Sequence, residues 1–483
     1  MNSLLNIKNY GNPAKFHIIG IGGIGMSGIA EILYNLGYQI QGSDIKYNSN
    51  IERLKKLGIK IFIDHHPSNI ETADYVVISS SIKESNIEYQ QALIKKIPII
   101  QRSEMLAEIM RMKICISISG SHGKTSTTSI VASVLEAAGL EPTVINGGII
   151  NNKSTNAYVG TGDYLVAEAD ESDATFIKIP STIGVVTNID PEHLDYYGSF
   201  DNLYLAFKNF IKGLPFYGFA AVCIDNEISC KLAKEVIERK IITYGIKSKE
   251  AHIQAFNITT NIDCSIFSVR VNLPHRGINY VIENLKLSIP GEHNILNCLA
   301  SIAIAAELDF GVGAIHEGLK NFKGVKRRFT VTNNIGGIRF IDDYAHHPSE
   351  ILETLKTAKS ALENKTNKVI AVFQPHRFSR LYHLFSDFVN CFALADKIYI
   401  TPVFAAGENK IENYDSEKLI KDIKSRFKDK IVYYAKSEQQ ISDLISKDNL
   451  LSGDIVLFMG AGNITEWAYN IPKIFKKEKN ISK

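Results

Sequence analysis

Residues 113–126 read KICISISGSHGKTS: an apolar run, a turn bracketed by glycines, and a Lys-Thr-Ser triplet opening a helical pattern that continues to about Ala138. A strand that delivers the chain into such a turn, with a helix following, presents a row of backbone N–H groups at a helix N-terminus, which suits phosphate oxygens. On this reading Gly120, Ser121, His122, Gly123, Lys124, Thr125 and Ser126 form the loop. Lys124 reaches the terminal phosphates and the Thr125 hydroxyl ligates Mg²⁺. The spacing G-x-x-G-K-T is shorter than the usual G-x-x-x-x-G-K-[ST]. The strand before and the helix after favour a phosphate loop over a surface turn.

A magnesium nucleotide also needs hard ligands, which parallel αβ sheets supply from the carboxyl ends of neighbouring strands. YLVAEADESD (164–173) ends in Glu168, Asp170, Glu171 and Asp173, and IGVVTNIDPEHLD (183–195) offers Asn188, Asp190, Glu192, His193 and Asp195. A carboxylate run is usually a solvated loop. Two of them, each directly after a buried-strand pattern, favour a metal site.

Upstream, FHIIGIGGIGMSGIAEILYNLGYQIQGSD (16–44) contains G-x-G-x-x-G at Gly20, Gly22 and Gly25, with Asp44 following. This is the fingerprint of a diphosphate-binding βαβ unit. Taken alone it permits a nicotinamide-dependent dehydrogenase, but that reading leaves GSHGKTS and EADESD without a role. Downstream, DDYAHHPSE (342–350) and FQPHRFSR (373–380) each follow a strand pattern. Arg377 and Arg380 share a face if a helix starts there, and guanidinium forks suit carboxylates and phosphates.

Around these motifs, short apolar runs alternate with helical periodicity in three segments, which predicts an α/β fold with parallel sheets. The expected domains are 1–112, 113–328 and 329–483, the middle one adding antiparallel strands over 251–290 where polar and apolar residues alternate. At 483 residues, 45% hydrophobic and 22% charged, the composition is that of an ordinary globular protein. A net charge of +3 makes no case for nucleic acid or an anionic membrane as partner. No apolar run reaches membrane-spanning length and no secretory leader is evident, so the expected compartment is the cytoplasm. The six cysteines are scattered without C-x-x-C spacing and read as buried free thiols.

GSHGKTS, EADESDATF, TNIDPEHLD, GEHNILN, KRRF, DDYAHHPSE and FQPHRFSR occur in the order and spacing of the Mur ligases, and the chain resembles that family from about residue 14 to 470. The resemblance implies a Rossmann-like UDP-binding domain, a central P-loop-type ATPase domain with a parallel sheet plus a small antiparallel sheet, and a C-terminal Rossmann-like domain. It implies ATP and Mg²⁺ as cofactors, and an acyl phosphate made from a carboxylate and then attacked by an amine. The pair EADESDATF and DDYAHHPSE points to the branch that takes UDP-N-acetylmuramate and L-alanine. A branch that adds a recycled murein tripeptide shares the same ATP machinery.

Carried over by motif, Lys124, Glu168 and His193 are the expected catalytic groups, with Thr125, Glu168 and His193 on Mg²⁺. His293, Asn294 and Asn297 would meet the adenine side of ATP, and Arg328 and Asp343 would also touch the nucleotide. Gly22, Gly23, Ile24, Gly25, Met26, Ser27, Ser43, Asp44, Ser79, Ser80 and Ser81 would hold the UDP substrate, Gly22, Gly23 and Gly25 letting backbone approach its diphosphate. Tyr344, His346, His376, Arg377 and Arg380 would take L-alanine, the arginines on its carboxylate. Some family members carry a carbamoylated lysine near the position of Lys208; in this branch Lys208 is expected to be a solvent-exposed helix residue. The resemblance leaves monomer and homodimer open.

Overall fold

A computed structural model of the chain describes residues 8–9, 12–79, 81–111, 113–151, 153, 155–172, 174–364 and 366–478. Ser80 and Asp173, singled out above, lie outside the described residues, as do the side chains of Ile24 and Asp195. The chain forms two compact units, Met1–Ile149 with Lys153–His252 and Ala300–Gly318, and Ile150–Asn152 with Ile253–Leu299 and Leu319–Lys483.

The first unit holds two sheets. The first has the strand order Lys60–Ile63, Gln39–Asp44, Lys15–Ile19, Tyr75–Ile78, Ile99–Gln101, all pairs parallel. Chain order therefore runs outward in both directions from Lys15–Ile19. The crevice this creates opens beyond the carboxyl ends of Lys15–Ile19 and Tyr75–Ile78, where doubly wound sheets bind ligands. Gly20 and Ser79 sit at those two ends. In the second sheet Ile114–Ser119 lies between Tyr164–Glu168 and Ile183–Val186, with all three parallel. Thr143–Ile150 pairs with the outer side of Tyr164–Glu168, and Phe219–Cys223 then Lys240–Gly245 continue from Ile183–Val186. The central strands carry buried residues on both faces, which is why they read as continuous apolar runs rather than alternating ones.

The second unit contains the antiparallel meander Ile253–Thr260, Ser265–Leu273, Ile278–Leu287. Its other sheet has six strands in the order Thr330–Ile335, Ile338–Asp343, Ile455–Met459, Val369–Phe373, Lys397–Ile400, Ile431–Tyr434. Only the first pair is antiparallel. Apolar clusters pack on both faces of it, one around Phe373, Phe388 and Phe392, the other around Phe340, Phe458 and Trp467. Five of the six cysteines are buried, Cys230 is half-buried, and all are free thiols. Among the described residues no helix is long and apolar enough to cross a membrane.

Lys208 lies on a helix as expected, but is less exposed than expected. It lies on the helix Phe200–Lys212, half-buried, and its Nζ donates to Glu235 Oε2 at 2.7 Å. The ion pair joins that helix to the Glu227–Glu235 helix at the exposed surface.

A polar network is buried within the first sheet. Glu88 and His17 are fully buried, His17 Nε2 lying 3.2 Å from Glu88 Oε2. The Ser43 hydroxyl and Asn69 Nδ2 donate to the same carboxylate, and His65 Nδ1 lies 3.2 Å from it. Burial opposes the Glu88 charge, but the hydrogen bond and charge of His17, then Ser43 and Asn69, hold its carboxyl down at about 2. A folded-state pKa below the unfolded value of 4.5 contributes stability that is complete above 4.5 and lost as pH falls toward 2. Acid unfolding followed by circular dichroism should therefore lose its stability increment in that window, and Glu88→Gln should flatten this part of the curve. An unchanged acid limb in the variant would show that Glu88 carries no such linkage.

Candidate functional site

The loop expected to hold phosphate begins where Ile114–Ser119 ends, between the ends of its two neighbours. Gly120 has φ +136°, and a Cβ there would meet Thr187 Oγ1 at 2.0 Å, so only glycine fits. Gly123, at φ +82°, turns the chain into the helix Lys124–Ala137 without a side-chain cap. The first N–H groups of that helix thus face the loop without a side-chain oxygen in the way.

The segment TNIDPEH is bonded to the loop along its length. Ser121 N donates to Asn188 O, His122 N to Asn188 Oδ1, and Thr187 Oγ1 and Asn188 Nδ2 to His122 O. Asp190 N donates to Ser121 Oγ at 2.9 Å, and His122 Nε2 lies 3.2 Å from Asp190 Oδ2. The two motifs, far apart in sequence, form one rigid rim.

Lys124 is half-buried at the centre of this rim. Its Nζ donates to Gly120 O at 2.7 Å, Ser121 O at 3.2 Å and Glu171 Oε1 at 2.9 Å. Burial works against the ammonium, but the charge and hydrogen bond of Glu171, with Asp170 and Glu168 behind it, raise its pKa above a lysine's ordinary value. Burial pushes the Glu171 carboxyl up to about 7 against the pull of Lys124. With both oxygens within 2.9 Å of the ammonium, the ion pair is the form the geometry favours.

Three ligand-type atoms, from Asp170, Glu171 and His193, lie within 4.8 Å of one another beside the loop. His193 occupies the left-handed region at φ +55°, heading the short helix Leu194–Tyr197, with its Nε2 3.7 Å from Glu171 Oε1. Two carboxylates and an imidazole suit a divalent cation. Glu168 is not one of those three; it is half-buried, its Oε2 accepting from Gly147 N at 2.9 Å. Thr125 is buried in the first turn, and the carbonyl of Thr125 accepts from Ser129 Oγ. Ser126 is buried there as well.

At the first sheet's crevice, Gly20 N and Ile21 N both donate to Ser43 O, and Gly22 N donates to Asp44 Oδ2 at 2.9 Å. Gly23 caps the helix Ile24–Asn35, again without a side-chain hydrogen bond, and Met26 and Ser27 are buried in its first turn. Gly25 faces Arg102, whose Nη1 would stand 2.7 Å from a Cβ. Ser79 and Ser81 hydroxyls are 2.6 Å apart at the end of Tyr75–Ile78. Ser43 holds the glycine loop through its carbonyl while its hydroxyl serves the buried Glu88 network.

In the second unit Asn294 Nδ2 donates to Pro290 O, and Asn297 Nδ2 to Asn294 Oδ1. His293 is pushed down to about 4 by burial, so it is neutral at physiological pH. Asp343 is buried with Oδ2 accepting from Phe329 N and Oδ1 from Ala345 N, each at 2.8 Å; burial raises its carboxyl to about 6. It thereby braces the backbone directly after Arg328 and directly after Tyr344. Arg328 and Arg327 both lie over the Tyr344 ring, and Arg327 Nη2 also donates to Gly460 O. Arg327, which sequence reasoning passed over, was marked only by its place in KRRF.

His346, His376 and Arg380 come together. The two rings are 6.1 Å apart and Arg380 Nη1 lies 3.3 Å from His376 Nδ1. Both histidines are lowered to about 4, first by burial, with Arg380 adding to it in each case. Arg377 departs from the expected shared face. It precedes the helix Phe378–His383 at φ +66°, is exposed, and directs its Nε toward Glu408. A residue outside the helix does not follow helical spacing.

Three family models match the chain: "Mur ligase family, catalytic domain" over residues 15–114, "Mur ligase middle domain" over 118–305, and "Mur ligase, glutamate ligase domain" over 327–462. The chain is 57% identical over 474 residues to a UDP-N-acetylmuramate–L-alanine ligase of Rickettsia canadensis, covering 98% of this chain and 99% of that one. It resembles the crystal structure of the UDP-N-acetylmuramate–alanine ligase of Thermotoga maritima, with TM-score 0.72, 29% identity, and 96% and 99% of the two chains covered. Another Thermotoga maritima Mur ligase, solved in complex with ADP, shares the fold at 19% identity and TM-score 0.60, with 91% and 95% covered.

Because Gly120 touches Thr187 and has no room for a methyl group, Gly120→Ala should displace the loop from the TNIDPEH segment. The expected cost is on the order of 2 kcal/mol or more of stability. Differential scanning calorimetry of the variant checks this, and an unshifted melting temperature would contradict the rigid-rim description.

Proposed function

The chain belongs to the Mur ligase family, and from that premise we propose that it joins L-alanine to the lactyl carboxylate of UDP-N-acetylmuramate, driven by ATP, in peptidoglycan precursor synthesis. The observation that carries the reading is the buried Lys124 loop fused to a carboxylate–imidazole cluster. Such a site fits the transfer of a phosphoryl group to an anion. A carboxylate is a poor electrophile, so it must first acquire a leaving group. Its oxygen attacks the γ-phosphorus, the bond from that phosphorus to the β,γ-bridging oxygen breaks, and ADP leaves. The L-alanine amine then attacks the acyl carbon, loses a proton, and expels inorganic phosphate.

In this scheme Lys124 binds the β- and γ-phosphates and neutralises charge as two anions approach. The glycine loop and the helix it opens supply N–H donors. Thr125, Glu168 and His193 would hold Mg²⁺, with Asp170 and Glu171 beside His193 offering further donors. When bound, the metal would offset the negative charge shared by phosphate and carboxylate. His293, Asn294, Asn297, Arg328 and Asp343 are assigned to the nucleotide, Asp343 by bracing the backbone near Arg328.

Gly22, Gly23, Gly25, the Ile24–Asn35 helix start, Asp44, Ser79 and Ser81 take the diphosphate and nucleoside of the UDP sugar. Tyr344, His346, His376 and Arg380 receive the amino acid, with Arg380 and Arg377 available to its carboxylate. The enzyme is placed in the cytoplasm, as a monomer or homodimer.

The test is ADP release with ATP, Mg²⁺, UDP-N-acetylmuramate and either L-alanine or the murein tripeptide. Turnover with L-alanine supports the proposal, and turnover only with tripeptide assigns the chain to the recycling branch. Lys124→Ala should remove ADP release that depends on both substrates, by at least about a thousandfold. Full activity in that variant would refute the role given to the loop.

A further inference from the structure

Lys124 is fully occupied in this structure. Its three donors go to Gly120 O, Ser121 O and Glu171, so it must give up one of them to serve a phosphate, and Glu171 is the one whose negative charge a phosphate replaces. Glu171 cannot follow. Its side chain is buried, and its own carbonyl is pinned by the Tyr197 hydroxyl at 2.5 Å. Its Oε2, 2.7 Å from Nζ, accepts no hydrogen bond among the described residues. Removal of Lys124 therefore leaves a buried carboxylate with an orphaned oxygen, which is strongly unfavourable when nothing replaces the partner. A replacement is at hand: Asp170 and His193 put ligand atoms within 4.8 Å of that same carboxylate.

We propose that Glu171 is a positioning residue that exchanges Lys124 for a divalent cation, so that nucleotide and cation bind cooperatively through one buried carboxylate. This rests on the reading of residues 120–126 as a nucleotide phosphate loop. Without nucleotide, Lys124 and the cation compete for Glu171. With nucleotide, the phosphates hold Lys124 and the cation takes its place. Lys124 is thereby kept in the loop, charged and close to where it acts, and is released when both ligands are present. The coupling is reciprocal, as any linkage between two bound ligands must be.

Two measurements without turnover test it. The first is the ratio of ADP dissociation constants in EDTA and in Mg²⁺, by isothermal titration calorimetry. In Glu171→Gln, which keeps the side-chain shape and removes the charge, ADP should bind more tightly in EDTA and the ratio should fall by roughly tenfold. The second is Mn²⁺ binding to the nucleotide-free protein, by electron paramagnetic resonance. Lys124→Met should bind Mn²⁺ roughly tenfold more tightly than the unsubstituted chain, because its competitor is gone. An unchanged ratio in Glu171→Gln, or weaker ADP binding in EDTA, overturns the proposal. If Glu171→Gln does not fold, the Mn²⁺ measurement decides alone, and no tightening in Lys124→Met overturns it. No ADP binding by the unsubstituted chain would instead overturn the nucleotide reading itself, and the exchange with it.

Discussion

A buried ammonium needs anions and carbonyls around it, and most of the described site is arranged to meet the needs of Lys124. Gly120 and Ser121 turn their carbonyls inward onto Nζ, which their backbone can do because Gly120 adopts φ +136°. Glu171 supplies the counter-charge from the end of the neighbouring strand. The next strand on the other side delivers Thr187, Asn188 and Asp190, whose hydrogen bonds fix the loop from outside. The parallel sheet exists in this account to bring three strand ends to one point. Each of them is separately too short to build a site.

The two glycine loops of the first unit follow the same physics with different supports. Both open a helix with no capping side chain, leaving N–H groups for an anion. One is steadied by a lysine and a carboxylate, as phosphoryl transfer requires. The other is steadied by Ser43 O and Asp44, over a buried histidine–glutamate network, and carries no lysine within the loop. The second arrangement suits a diphosphate that is held and left intact.

Much of this was legible in the chain. Residues 113–126 specify strand, loop and helix because an apolar run, a forced positive φ and a helix start succeed one another without competing signals. The carboxylate clusters are visible since they directly follow buried strands. What was not legible is where side chains in irregular segments point. Glu168 and Glu171 are three residues apart, yet one meets Gly147 N and the other Lys124. That choice depends on backbone torsions after the strand and on a glycine from another strand. Arg377 fell off the helical face through a single positive φ. Lys208 was drawn onto Glu235 by a neighbouring helix. The edge strands Ile99–Gln101 and Thr330–Ile335 carry too little apolar pattern to announce themselves.

The central claim is that this loop activates a carboxylate by phosphorylating it before the amine arrives. UDP-N-acetylmuramate labelled with ¹⁸O in its lactyl carboxylate tests that most directly, with the released phosphate examined by ³¹P nuclear magnetic resonance. Passage through an acyl phosphate predicts one labelled oxygen in the inorganic phosphate for each amide bond formed. Phosphate free of label, with amide still produced, would contradict the account.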